Sequence, residues 1–131
     1  MENRVPFLEG AFVEDQDGGS LLGNKCISCG RHYFPKVSLC YDCLAKNLKD
    51  VVLSRRGKLY SYTIGRVASS HFQPPYAMGL IDLPEGVRIF APIKLTEDES
   101  YKIGTEMEIY IDELWKEETK KIIGYKFRPL V

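Results

Sequence analysis

The sequence predicts a mainly β protein: a short ribbon held by cysteines, followed by a small closed barrel. Three observations predict this. From Val51 onward, apolar residues recur with a period of two, the mark of half-buried strands. Ahead of that region two C-x-x-C pairs, Cys26/Cys29 and Cys40/Cys43, stand ten residues apart. The 131 residues are 44% hydrophobic and 27% charged, which is globular composition for one medium domain, or a small domain with an appendage.

The elements follow in order. Residues 1–19 form an N-terminal segment in which Phe7, Ala11 and Phe12 have a weak helical spacing, so a helical segment is expected there. Asp15-Gln16-Asp17-Gly18-Gly19 is a turn. Residues 20–48 form the ribbon, entered by a strand at Ser20–Lys25, and residues 46–50 link it onward. Residues 49–131 form the barrel. Val51–Arg56 runs through Gly57 into Lys58–Ala68, where Tyr60, Tyr62 and Ile64 share a face and Gly65 suggests a bulge. Ala77–Leu83 is a short apolar strand, and Pro84-Glu85-Gly86 turns into Val87–Leu95. Thr96–Ser100 starts a short helix, with Thr96 as its cap. Met107, Ile109 and Ile111 point inward from Glu106–Asp112, and Ile123, Tyr125 and Phe127 from Ile122–Arg128. A charged hairpin around Trp115, from Glu113 to Thr119, joins those last two. About five antiparallel strands with one helical connection suit an OB-fold barrel, an SH3-like barrel or small sandwich being the alternative.

A C-x-x-C turn aims both of its thiolates at one point, and two such turns supply the four sulfurs of a tetrahedral zinc site. Cys26, Cys29, Cys40 and Cys43 are therefore the expected ligands. Two disulfides would suit an exported chain, and a redox motif needs only one pair. Iron in the same cage stays open, because spacing does not choose the metal. Four thiolates fill the tetrahedron, so the site is expected to be structural, holding a ribbon too short to bury its own core. His32 is surplus to that set.

Charge narrows the partners. Eighteen basic and eighteen acidic side chains balance to zero overall. Residues 51–95 carry six basic and two acidic groups, net +4, whereas residues 96–118 carry two and nine, net −7. A local anion fits the first block; a long polyanion is disfavoured. No apolar run approaches the ~20 residues of a bilayer span. The start of the chain lacks a basic-then-apolar leader, so a soluble, unexported, cytoplasmic protein is expected. No catalytic residues are expected. There is no G-x-S-x-G, no glycine-rich phosphate loop, and no cysteine beyond the four ligands. The long connection Arg66–Met78 holds His71, Phe72, Pro74, Pro75 and Tyr76 and is a candidate partner or ligand loop.

The segments PFLEG, LLGNKCISCGRHYFPKVSLCYDC, RGKLYSYTIGRV, PPYAMGLIDLPEGVRIFAPI and KFRPL resemble, over nearly the whole chain, a family of small zinc-ribbon/OB-fold proteins. That family, catalogued as a domain of unknown function, accompanies thiolases and related acyl-CoA enzymes. Cys26, Cys29, Cys40 and Cys43 fall on its zinc ligands. The resemblance implies a hetero-oligomer with a thiolase-fold catalytic subunit that carries the nucleophile, CoA or acyl-CoA being shared between the two. At its finest it implies cleavage of 2-benzoylsuccinyl-CoA to benzoyl-CoA and succinyl-CoA in anaerobic toluene degradation. Arg55, Arg56, Lys58 and Arg66 are then candidates to meet CoA phosphates. Phe72, Tyr76 and Trp115 are of the residue types enriched at interfaces. A single-stranded nucleic-acid-binding module and a stand-alone acyl-CoA carrier are the competing readings.

Overall fold

The computed structural model describes residues 3–14, 16, 18–69 and 71–130. Ten strands and no helix occur among them. Five strands make the barrel: β6 (Arg56–Gly65), β7 (Tyr76–Asp82), β8 (Arg88–Ile93), β9 (Glu106–Glu117) and β10 (Lys120–Pro129). They come after β1 (Asn3–Pro6), β2 (Phe12–Val13), β3 (Ser20–Cys26), β4 (His32–Tyr33) and β5 (Leu48–Val52). β6, β7 and β8 pair antiparallel in sequence. β10 lies parallel to β8 at Phe127 and Ile93, and β9 closes the ring by pairing with both β10 and β6. This is the five-stranded OB-fold expected from the alternation. Inward residues of every strand meet in one core, with Leu59, Ile81, Ile89, Met107, Ile109 and Phe127 fully buried.

The register departs from simple alternation twice: between Ile122 and Ile123, where β10 pairs with β9, and in β6. Pairing with β7 slips between Leu59 and Ser61, so the bulge sits at Tyr60 and not at Gly65. One inserted residue reverses the faces upstream of it. Leu59 therefore enters the core while Tyr60 turns out, 50% exposed, with the Arg88 guanidinium 3.5 Å from its ring centroid. Gly65 has another duty: a Cβ there would lie 2.2 Å from the Tyr76 ring.

Other expectations need correction. The N-terminal segment is not helical. β1 adds in parallel to the free edge of β10, Asn3 opposite Lys120 and Pro6 opposite Ile123, and β2 pairs with β3. Pro6 and Gly10 (φ 76°) interrupt any helix, and the edge of β10 offers the backbone partners instead. Asp15 and Asp17 of the expected turn lie outside the described residues. The short helix at Thr96 is also absent. Asp98 accepts hydrogen bonds from the Thr96 hydroxyl (3.0 Å) and the Ser100 N–H (3.3 Å), which closes a turn through side chains. Finally, Val51 and Val52 end β5, which pairs with β3 in the ribbon sheet, so the first barrel strand starts only at Arg56. The hairpin beyond Glu113 is tighter than expected, because β9 runs on through Trp115 to Glu117.

The ribbon and the barrel share apolar contacts. Leu21 of β3 and Leu53 belong to the same core as Phe127, and the Leu53 N–H donates to the Leu21 carbonyl at 2.9 Å. Phe7, Phe12 and Phe34, from three separate segments, converge on Tyr125 with centroid distances of 5.4, 6.3 and 5.6 Å. Edge-to-face aromatic contacts add to area burial. Tyr125→Ala is therefore expected to cost about 3–5 kcal/mol in denaturant unfolding. Tyr125→Phe, which keeps the ring, is expected to cost less than about 1 kcal/mol.

Candidate metal centre

β3 delivers Cys26 at its end, and the chain then reverses so that Cys29 follows within one turn. The Gly30 N–H donates to the Cys26 carbonyl at 2.8 Å, and Gly30 takes φ 83° to close the knuckle. The second knuckle repeats the pattern: the Leu44 N–H donates to the Cys40 carbonyl at 2.9 Å, and Leu44 takes φ 64°. The two turns face each other. All four Sγ atoms lie within 4.8 Å of one another, with Cys26–Cys43 at 3.5 Å and Cys29–Cys40 at 3.6 Å. Sulfurs on a tetrahedron with Zn–S bonds of ~2.3 Å are separated by roughly 3.8 Å, so the cage fits the ion. The same distances are far too long for S–S bonds, and all four are free cysteines. The first cysteine of each knuckle is buried and the second exposed.

A second layer orients the ligands. The Tyr33 hydroxyl accepts the Tyr41 N–H at 3.0 Å, which leaves its own proton to point at Cys40 Sγ, 3.3 Å away. That bond, with the N–H groups of Cys43 and Asp42, draws the Cys40 thiol down to about 6. The Ala45 N–H lowers Cys43 in the same way, but the neighbouring sulfurs and burial outweigh it and push Cys43 up to about 12. Asn24, buried in β3, clamps Val37 with both ends of its amide, at 2.7 and 3.3 Å, and so fixes the loop between the knuckles. Neither Tyr33 nor Asn24 stands out in the sequence. An asparagine inside a strand pattern is the one available signal. His32 lies in β4 opposite Lys25 and is no member of the cysteine group.

The other sequence candidates fall into two groups. The four cations do not converge. Arg55 donates to the Gly19 carbonyl at 3.0 Å, and Arg56 pairs with Glu108 at 3.2 Å. Lys58 shares with Arg56 a cleft beside Pro84. Arg66 lies past the far end of β6, paired with Glu99 at 2.8 Å. The loop residues do assemble. His71 stacks on Trp115 (4.0 Å, 15°), Phe72 meets the edge of Trp115 at 6.1 Å, and Phe72 also packs on Tyr76 at 5.7 Å. No helix among the described residues is long and apolar enough to cross a membrane.

A ribbon closed by four thiolates and carried on an OB barrel defines the class. Comparison with known proteins places it more finely. A profile described as the ChsH2 rubredoxin-like zinc ribbon domain matches residues 19–49, and one described as the ChsH2 C-terminal OB-fold domain matches residues 50–112. The chain belongs to this ChsH2 zinc-ribbon/OB-fold family, and its cage is a zinc site. It is 37% identical over 111 residues to a benzoylsuccinyl-CoA thiolase subunit, BbsA, of Thauera aromatica, covering 84% of this chain and 76% of that one. It is 35% identical over 115 residues to a DUF35 domain-containing scaffold protein of Methanocaldococcus jannaschii, covering 84% and 82%. Among solved structures, one titled Ltp2-ChsH2(DUF35) aldolase superposes with a TM-score of 0.72 at 23% identity, over 86% of each chain, which shows the shared fold.

Two outcomes are expected at the cage. Cys40→Ser lowers zinc content, measured by mass spectrometry of the metal, and broadens ribbon amide resonances while barrel resonances persist. Unchanged metal content would contradict the four-sulfur assignment. Because a ligand thiol must lose its proton on binding, zinc uptake at pH 7.5 releases protons from the four-cysteine set, and affinity rises with pH. Calorimetry in buffers of different ionisation enthalpy reads that release.

Proposed function

We propose that this chain is a non-catalytic, zinc-stabilised accessory subunit of an acyl-CoA thiolase complex. One observation carries the reading: all four cysteines are taken up by a closed metal cage, in a chain closely similar to a thiolase subunit. A filled tetrahedron has no position for substrate or water. The acyl-accepting thiolate of a thiolase must then come from the larger partner. This chain supplies a rigid β surface against which that partner assembles. A stable assembly of this kind buries ~1,200–2,000 Å² or more, with aromatic residues prominent.

The finer reading is that the complex cleaves 2-benzoylsuccinyl-CoA with CoA into benzoyl-CoA and succinyl-CoA, in cytoplasmic, anaerobic breakdown of toluene. Two relatives, from Thauera aromatica and Geobacter metallireducens, bear the name of that thiolase, the second at 33% identity over 98% of this chain. Co-expression with the thiolase-fold subunit is expected to give one co-eluting complex, and carbon–carbon cleavage only when both chains are present. Thioester turnover by this chain alone, or failure of the two to associate, would overturn the subunit reading. A complex that cleaves a different acyl-CoA would remove only the substrate.

A further inference from the structure

The two knuckles of the ribbon expose more apolar surface than their size explains. Ile27, Tyr41 and Leu44 are 58%, 71% and 69% exposed. Single exposed hydrophobics are ordinary, but these three sit on two turns that close on one cage. Ile27 follows Cys26 and Leu44 follows Cys43, the two cysteines whose sulfurs approach to 3.5 Å. The chain just past Leu44 ties the two turns together. The Cys40 N–H donates to the Ala45 carbonyl at 2.9 Å, and the Ile27 N–H to the Asn47 carbonyl at 3.0 Å. Tyr41 stands edge-on to Tyr33 at 5.8 Å, and its N–H donates to the Tyr33 hydroxyl at 3.0 Å. The tip is thus ordered before any partner arrives, which spares that cost on binding.

Leu44 says the most about this tip. It stands one residue past the second cysteine of its knuckle, where the first knuckle has Gly30. Both residues take positive φ, 64° and 83°. A Cβ makes that conformation costly, whereas glycine adopts it freely. Burial within the chain does not offset the cost, because Leu44 is mostly exposed. Strain kept where glycine would remove it points to a use outside the fold.

The charge of the ribbon narrows what covers the tip. Residues 20–50 carry five basic and two acidic groups, net +3. Lys36 and Asp50 pair with each other at 3.1 Å, which leaves Lys25, Arg31, Lys46 and Lys49 against Asp42. A second copy seated tip to tip across a two-fold axis would bring that positive border against itself. A head-to-tail contact would generate rings or filaments of this chain, with no tip left for a second kind of subunit. A different chain, with an apolar recess and an acidic border, meets neither obstacle. An apolar centre ringed by opposite charges is the anatomy of a specific interface. We propose that Ile27, Tyr41 and Leu44 dock into such a recess on the thiolase-fold catalytic subunit. The proposal rests on the subunit reading above and names the surface that reading leaves open.

The test titrates the zinc-loaded full chain with the thiolase-fold subunit and follows association by sedimentation velocity. Leu44→Gly removes the side chain and relieves the strain at φ. It should keep full zinc content and a denaturation midpoint no lower than that of the unsubstituted chain, yet weaken association at least tenfold. Ile27→Ser, which keeps the N–H bonded to Asn47, should also weaken association at least tenfold at unchanged zinc content. Lys46→Glu should weaken it more at low salt than at high salt. Association of both zinc-loaded apolar variants as tight as that of the unsubstituted chain removes the tip assignment and leaves the subunit reading standing. A lone chain that dimerises, with the dimer lost in Leu44→Gly, assigns the tip to a second copy and overturns the proposal. If the unsubstituted chain never associates with the thiolase-fold subunit, the subunit reading falls and takes the proposal with it.

Discussion

Four sulfur ligands gathered within 4.8 Å are the constraint on which the rest of this structure depends. As thiolates they repel one another, and only a cation at their centre makes the arrangement stable. The segment from Ser20 to Asp50 contributes two fully buried cysteines and one leucine to the interior, and little other apolar bulk of its own. Metal binding therefore takes the place of a hydrophobic core in this part of the chain, as it does in small zinc domains generally. The cost of closing the cage shows in Leu44, an exposed leucine held at φ 64° where the first knuckle uses Gly30.

The cage would be an isolated clasp without the joint around Tyr125. Phe34 reaches that ring from the loop between the knuckles, Phe12 from β2 and Phe7 from the turn after β1. The barrel thus braces the ribbon from one side while the metal closes it from the other. Arg55, bonded to the Gly19 carbonyl, adds a polar tie across the same boundary. A rigid two-part body of this kind suits a scaffold, whose surface must keep its shape when a larger subunit docks.

Much of this was legible from residue order. The cysteine spacing named the ligands, because a C-x-x-C turn leaves its thiolates few directions to point. Period-two alternation located the barrel strands, since each buries one face. What stayed hidden was set by long-range pairing. Residues 3–6 became a strand because β10 had a free edge, a fact that no local propensity encodes. The bulge at Tyr60 parted it from the face that simple alternation had given it with Tyr62 and Ile64. Tyr33 holds Cys40 across seven residues, and His71 meets Trp115 across forty-four, so neither contact follows a local rule. The four cations of 55–66 looked like one cluster in sequence, yet an extended strand separates its ends at roughly 3.3 Å per residue.

The division of labour follows from the coordination number. An ion whose every position is taken by protein sulfur organises structure, whereas an ion with an open position can activate water or polarise a carbonyl. X-ray absorption at the zinc edge of the purified protein, alone and in the assembled complex with an acyl-CoA present, measures that number directly. Four sulfur scatterers at ~2.3 Å in both states is the outcome expected of a closed structural site. A sulfur count below four, or an oxygen or nitrogen scatterer entering the shell when acyl-CoA is added, would contradict it.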